Sequence, residues 1–73
     1  MDRARVLIAD EDDVLARTLS WLLKEQGFDV TVTLGGERLL EALAQHEPDL
    51  LLLDVMMRGM DGYDLLRRIN DDA

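Results

Sequence analysis

The chain has 73 residues, with 16 acidic and 8 basic side chains, a net charge of −8 and no cysteine. This length allows one small domain, and the lack of cysteine excludes disulfides and thiolate metal sites as sources of stability. The negative charge argues against nucleic-acid binding through this segment, because phosphate contacts require a basic surface. There is no secretory signal and no apolar run long enough to cross a bilayer, so we expect a cytoplasmic protein without a membrane partner.

Alternating apolar and polar segments predict six elements of secondary structure along the chain. Short apolar or β-branched runs predict the strands, and apolar residues at helical spacing predict the helices between them. Asp12 or Asp13 supplies an N-cap for the first helix, and Gly27 ends it. Pro48 blocks continuation of the second helix. The predicted strands cover about residues 4–9, 28–33 and 49–54, and the predicted helices cover about residues 13–26, 36–46 and 62–70.

Each helix is expected to pack on the sheet through one apolar stripe. In the first helix the predicted stripe consists of Val14, Leu15, Leu19, Leu22 and Leu23. In the second and third helices the predicted inward residues are Leu39, Leu40, Leu43, Leu65, Leu66 and Ile69. Trp21 lies beside the first stripe, where it either covers the neighbouring core or serves as an interface anchor.

The β-α-β-α-β-α order predicts an α/β fold with a parallel sheet and right-handed crossovers. The run Leu50–Leu53 lacks alternation, as expected of a strand buried on both faces. With strand order 2-1-3, the chain reverses its winding between the first and third strands, and their carboxyl ends flank a crevice. This topology brings Asp10 and Glu11 close to Asp54.

Carboxylates gathered at one edge of a sheet favour a divalent cation. Two such groups repel each other by about 4 kcal/mol at a separation of 4 Å and an effective dielectric constant near 20. Mg²⁺ relieves that repulsion, since it accepts one or two carboxylates together with waters and phosphate oxygens. An aspartate beside such an ion is able to attack phosphorus and form an acyl phosphate.

Four stretches resemble the N-terminal part of a bacterial two-component response-regulator receiver domain. They are RVLIADED, GFDV, GGERLLEAL and PDLLLLDVMMRGMDGYDLLRRI. The last is close to the family pattern PDLVLLDxxMPxMDGxxLLxxI, and the spacings from the acidic pair to Gly27 and to Asp54 also agree with the family. The resemblance covers the whole chain, and two separated elements match in register.

This resemblance implies a truncated flavodoxin-like (βα)3 unit that acts in phosphorylation-controlled signalling. It implies that Asp54 is the phosphoacceptor and that Asp10 and Glu11 form the acidic pair. The Mg²⁺ ligands would then be Asp10, Glu11, Asp54 and the main-chain carbonyl of Met56. The implied donor is a phosphohistidine on a sensor histidine kinase or a phosphotransfer protein. Such a receiver catalyses its own aspartyl phosphorylation and is not otherwise an enzyme.

Three features depart from the family pattern. Glu11 stands where the family usually has Asp, so its longer side chain must retract or bind the metal through water. Arg58 replaces the usual proline of the turn. The chain ends at Ala73, so we expect it to lack the last two strands and helices of a receiver, with their Ser/Thr hydroxyl and lysine.

The third departure leaves the leucine strand as an exposed apolar edge, for which we expect pairing with a second copy as a homodimer. The alternative function is a non-catalytic, dimerising half-receiver fragment whose acidic site is vestigial.

Asp12 and Asp13 are interpreted as solvated residues that favour the helix dipole, and His46 as a favourable residue at a helix C-terminus. An EF-hand is a poor match, because no glycine occupies the sixth position from Asp10 or Asp12.

Overall fold

A computed structural model describes residues 3–36, 38–54 and 62–72 of the chain. Three strands alternate with three helices, in the predicted order. The first helix ends one residue earlier than predicted, the second begins three residues later, and the third extends two residues further. The elements are β1 (Arg5–Ala9), α1 (Asp13–Glu25), β2 (Asp29–Thr33), α2 (Leu39–His46), β3 (Leu50–Leu53) and α3 (Gly62–Asp72).

The three strands form one parallel sheet in the order β2-β1-β3, which confirms the predicted α/β fold and strand order. Along one side of β1, Arg5 lies opposite Asp29, and the register continues to Ala9 opposite Thr33. Along the other side, Val6 lies opposite Leu50, and the register continues to Ala9 opposite Leu53. The strand β1 is therefore the centre of the sheet, and it carries four of the seven buried apolar residues found in the described part of the chain.

The side chains of β1 alternate between two apolar clusters, one on each face of the sheet. On one face Leu7 and Ala9 pack with Leu39 of α2, together with partly buried Ala42, Leu43, Leu51 and Leu53. On the other face Val6 and Ile8 pack with Ala16 of α1 and with a second group of residues: Val30, Leu19, Leu23, Phe28, Val32 and Leu52. Because β1 is covered on both faces and paired on both edges, its position fixes the edge from which Asp10 emerges.

The predicted apolar stripe of α1 is partly wrong. Leu19 and Leu23 pack against the sheet as predicted, but Val14 is 76% exposed and Leu22 is 49% exposed. The buried residues of α1 are Ala16 and Ser20, whose small side chains let the helix lie close to the strands. A stripe defined only by large apolar residues lies at a different angle around the helix from the face that carries these two residues. Large residues outside that face, including Leu15 and Trp21, are exposed.

Both ends of α1 have the predicted capping residues. Asp12 is the N-cap, and its side chain accepts a hydrogen bond from the backbone N–H of Leu15. At the other end, Gly27 has a φ of 94°, a left-handed conformation that suits glycine. The N–H of Gly27 donates to the carbonyl of Lys24 at 3.0 Å. These caps fix where α1 begins relative to β1.

The C-terminus of α2 lies at the opposite edge of the sheet from the acidic residues. The Arg5 guanidinium donates to the carbonyl oxygen of His46 at 3.3 Å. The backbone N–H of Arg5 also donates to a carboxylate oxygen of Asp49 at 2.8 Å. Arg5 therefore connects β1 to the end of α2 and to the start of β3, and it places a cation where the helix dipole favours one. No helix within the described ranges has the length and apolar character needed to cross a bilayer.

Candidate functional site

Asp10 and Asp54 follow the carboxyl ends of two adjacent strands. The backbone N–H of Asp54 donates to the carbonyl oxygen of Ala9 at 2.9 Å, and the N–H of Asp10 donates to the carbonyl oxygen of Thr33 at 3.1 Å. Backbone hydrogen bonding thus extends beyond the last residues of β1 and β3. It fixes the positions from which both side chains project at the switch point of the sheet.

Asp10 is a buried acid, with only 7% of its surface exposed. One of its carboxylate oxygens accepts a hydrogen bond from the backbone N–H of Asp12 at 2.9 Å. This bond shapes the turn that leads from β1 into α1. It also offsets part of the cost of burying the carboxylate, because a charged acceptor makes a stronger hydrogen bond than a neutral one.

Asp12 and Asp13 are adjacent at the start of α1 but have different surroundings. The side chain of Asp12 accepts from the Leu15 N–H at 3.1 Å. The side chain of Asp13 instead pairs with Arg17, with 2.6 Å between the guanidinium Nε and the carboxylate oxygen. The hydrogen bond from Arg17 to Asp13, and then the charge of Asp13, raise the pKa of that arginine. Asp13 is thus part of an exposed ion pair on the helix.

The acids open onto a crevice of about 600 Å³ between α1 and β3. Its polar residues are Asp10, Asp12 and Asp54, and its apolar residues are Ile8, Leu15, Leu19, Leu52 and Leu53. Three carboxylates therefore share one cavity with an apolar floor. An apolar wall lowers the local dielectric constant, which strengthens the attraction between these carboxylates and any cation in the crevice.

The structure brings together two of the predicted metal-binding residues, Asp10 and Asp54, at this crevice. Glu11 lies between Asp10 and Asp12 in sequence, but it is exposed and does not line the crevice. Met56 lies outside the described residues, as does Arg58. Within the described ranges, no group of three or more His, Cys, Asp or Glu side chains is close enough together to hold a metal ion. The Mg²⁺ site therefore stays a prediction.

The donors that line the crevice nevertheless suit Mg²⁺ chemically. Carboxylate oxygens are hard ligands, and one or two of them, completed by water and phosphate oxygens, form the usual protein environment of this ion. The predicted set also includes Glu11, which would have to retract or bind through water, and the main-chain carbonyl of Met56, which lies outside the described residues. Among the described residues, Asp10 and Asp54 supply carboxylates of the chemical type that suits this ion.

Asp12 is the crevice residue that the sequence interpretation missed. The sequence pattern predicts only a solvated helix cap at Asp12, and the residue does cap α1. The spacing of two residues from Asp10 carries a signal, because an aspartate often accepts from the N–H two residues later. Such a turn brings the third acid back toward the crevice instead of leading it away.

A parallel sheet in the order 2-1-3, with carboxylates at its switch point, defines a doubly wound α/β domain with an acidic ligand crevice. Residues 6–73 match the response regulator receiver domain family. The chain belongs to the response regulator receiver domain family.

Two curated relatives show the extent of the sequence similarity. The DNA-binding response regulator MtrA of Mycolicibacterium smegmatis is 41% identical over 71 residues, which cover 97% of this chain and 31% of that protein. The transcriptional regulatory protein CseB of Streptomyces coelicolor is 40% identical over 72 residues, which cover 99% of this chain and 31% of that protein. The chain thus spans about a third of the length of these relatives.

Solved receiver structures have the same fold. The N-terminal domain of a response regulator receiver protein from Methanoculleus marisnigri superimposes with a TM-score of 0.88 at 37% identity, over 93% of this chain and 55% of that one. The BeF3-activated N-terminal receiver domain of Klebsiella pneumoniae RstA gives a TM-score of 0.89 at 30% identity, over 94% of this chain and 59% of that one. The present chain therefore corresponds to just over half of these receiver structures.

Proposed function

We propose that this chain is a phosphoacceptor module of a two-component signalling system, in which Asp54 receives a phosphoryl group with the help of Mg²⁺. The proposed donor is a phosphohistidine on a sensor histidine kinase or a phosphotransfer protein. The observation that carries the proposal is the position of Asp54. It follows β3, is anchored by its N–H to Ala9, and opens onto the same crevice as the buried Asp10.

The proposed reaction transfers a phosphoryl group from nitrogen to oxygen. A carboxylate oxygen of Asp54 attacks phosphorus, the P–N bond of the phosphohistidine breaks, and the imidazole leaves as an acyl phosphate forms. Asp10, Glu11, Asp54 and the main-chain carbonyl of Met56 would hold the ion, with Glu11 either retracting or reaching it through water. Bound Mg²⁺ supplies positive charge that offsets the charge of the phosphoryl oxygens. The hydrogen bond to the Asp12 N–H keeps Asp10 oriented.

The experiment that tests this function is intact-mass spectrometry after incubation with Mg²⁺ and acetyl phosphate. The wild-type chain is expected to gain one phosphoryl adduct, and Asp54→Asn is expected to gain none, because an amide is not a comparable nucleophile. Asp49→Asn is the matched control, since it removes a carboxylate at the other end of β3 and should leave the adduct unchanged. An adduct on Asp54→Asn, or none on the wild type, would contradict the proposal.

The proposed role has consequences for partners and location. MtrA and CseB are named as a DNA-binding response regulator and a transcriptional regulatory protein. A longer protein that contained this chain would fit that role, but the net charge of −8 argues that this segment does not itself contact DNA. We place the chain in the cytoplasm, where phosphohistidine donors of this type act. It is not an enzyme acting on a separate substrate, since it catalyses only its own modification.

The second candidate is a non-catalytic half-receiver that pairs with another copy and whose acids are vestigial. The observation that favours it is the edge of β3. Among the described strands only β1 pairs with β3, and Leu50 on β3 is 52% exposed. Both candidates permit a homodimer, so Asp54-dependent phosphorylation is the result that separates them.

A further inference from the structure

We propose that Leu15 controls how long a phosphoryl group stays on Asp54, because its side chain limits the access of water at the mouth of the crevice. Hydrolysis ends the phosphorylated state when a water oxygen attacks phosphorus and the P–O bond to Asp54 breaks. Inorganic phosphate and the free carboxylate are then released, and one proton passes to solvent. An apolar side chain at the entrance slows this step, since keeping water out of a site protects reactive intermediates from hydrolysis. This inference rests on the proposed function, because it concerns the acyl phosphate formed on Asp54.

Leu15 lies at the mouth of the crevice that Asp54 also lines. Of the apolar residues around this crevice, Ile8 is 1% exposed and forms the floor, whereas Leu15 is 46% exposed. The three other leucines of the crevice are half-buried, as is Asp54. A water that displaces Asp54 from phosphorus approaches in line with the bond that breaks, from the side opposite the Asp54 oxygen. That approach comes from the open side of the crevice, where Leu15 is.

Two hydrogen bonds hold Leu15 on the wall of the crevice. Its backbone N–H donates to the side chain of Asp12 at 3.1 Å. The backbone N–H of Asp12 in turn donates to a carboxylate oxygen of the buried Asp10 at 2.9 Å. The first turn of α1 is therefore tied to the site before any phosphoryl group arrives. A side chain already held in place shields the site with little further loss of conformational entropy.

The packing of α1 on the sheet does not depend on Leu15. Leu19 and Leu23 are the leucines of this helix that pack into the apolar cluster on this face, and Leu15 is not among the residues of that cluster. A side chain that is 46% exposed also gains only part of the free energy of burial. A substitution at Leu15 is therefore expected to alter the entrance of the crevice and to leave the fold intact.

The helix supplies a matched control for this test. Leu22 lies two turns after Leu15 on α1 and is 49% exposed, but it is not among the residues that line the crevice. Leu15→Ala and Leu22→Ala thus remove the same side chain at similar exposure, one inside the crevice and one outside it. Leu15→Met keeps nearly the same volume at the entrance. Alanine and methionine are both good helix formers, so each variant should retain α1.

The experiment measures the decay of the adduct on the full 73-residue chain. Each variant is phosphorylated with Mg²⁺ and acetyl phosphate, the donor is removed by desalting, and the adduct is followed by intact-mass spectrometry with Mg²⁺ still present. We expect Leu15→Ala to lose the adduct about threefold faster than the wild type, because water reaches phosphorus more easily. Leu15→Met and Leu22→Ala should decay at the wild-type rate. In concentrated urea all four chains should decay equally, because an unfolded chain has no crevice.

The inference would be overturned by a Leu15→Ala adduct that decays at the wild-type rate. Equal acceleration in Leu22→Ala would also overturn it, since that result would reflect a general loosening of α1, and so would a difference that persists in urea. A wild-type chain that gains no adduct would contradict the proposed function, and this inference with it. An Asp54-dependent adduct that decays equally in every variant would leave the receiver function standing and remove Leu15 from its control.

Discussion

Glu47, which follows α2, has a left-handed backbone conformation with φ 44° and ψ 58°. A residue with a Cβ atom pays about 1–2 kcal/mol for this conformation, whereas glycine adopts it freely. We therefore expect Glu47→Gly to stabilise the chain by about 0.5–1 kcal/mol, after allowance for the greater entropy of glycine in the unfolded state. The shift is measured as a higher urea midpoint in equilibrium unfolding.

Gln45→Gly is the control for this prediction. Gln45 lies two residues earlier, within α2, and is exposed. Glycine at a helix interior costs about 1 kcal/mol relative to a good helix former, so this variant should have a lower midpoint. The same substitution is thus expected to have opposite effects at neighbouring positions. A lower midpoint for Glu47→Gly would mean that its side chain contributes more than its backbone conformation costs.

At the scale of single residues, the sequence predicts which acids lie at the crevice better than it predicts the contacts that those acids make. Asp10 and Asp54 were predicted to share a crevice because parallel strands end at the same edge of a sheet, and the structure places both there. The direction in which the next acids face depends on the turn after β1, which the hydrogen bond from the Asp12 N–H to Asp10 determines. A run of four acidic residues does not show which of them forms that hydrogen bond, so the sequence alone does not predict the direction of the turn.

At the scale of elements, β3 is an edge strand of the described sheet, whereas β1 is its centre. Leu50 is exposed, and the three leucines that follow it in β3 are half-buried. Within the described residues it pairs with β1 alone. An apolar strand edge of this kind pairs readily with another strand. We expect the chain to form a dimer at micromolar concentration, and sedimentation velocity measures it.

Leu50→Lys should shift this equilibrium toward monomer, because facing lysines across a strand pair cost on the order of 1 kcal/mol. Leu22→Lys is the matched control, since Leu22 is 49% exposed on α1 and Leu50 is 52% exposed on β3. It introduces the same side chain away from the strand edge, and the dimer should survive it. A monodisperse wild-type monomer at micromolar concentration would contradict the pairing hypothesis.

The order of elements was predictable because apolar periodicity and chain breakers agreed along the whole sequence. Gly27 and Pro48 each separate a segment with helical spacing of apolar residues from a segment predicted as a strand. The parallel arrangement follows from the alternation of strands and helices. The rotation of α1 was less predictable, because its innermost residues are Ala16 and Ser20. A serine on the buried face is invisible to a pattern of large apolar side chains, although its small size is what permits close packing.

The whole molecule has a net charge of −8 in only 73 residues, so its compact state is opposed by self-repulsion. Raising NaCl from about 0.02 M to about 0.5 M should increase the free energy of unfolding by on the order of 1 kcal/mol, because salt screens exposed charges. Urea unfolding at several salt concentrations measures this response.

A variant with Glu25→Gln and Asp71→Asn should respond less to salt. Both acids are exposed and lie near the C-termini of helices, where the helix dipole disfavours negative charge. The double variant is therefore expected to be more stable than the wild type at low salt and to converge with it at high salt. Identical salt dependence of the two chains would show that self-repulsion does not limit the stability of the fold.

The central position of β1 has a consequence for the order in which parts of the site would unfold. Asp10 follows a strand that is paired on both edges and covered on both faces, whereas Asp54 follows a strand that β1 alone pairs within the described residues. Protein regions open separately, and the least supported opens at the lowest free energy. Departure of β3 would carry Asp54 away from Asp10 while α1, β1 and β2 stay packed. In rising denaturant, the ability to accept a phosphoryl group should therefore disappear before the helical content does.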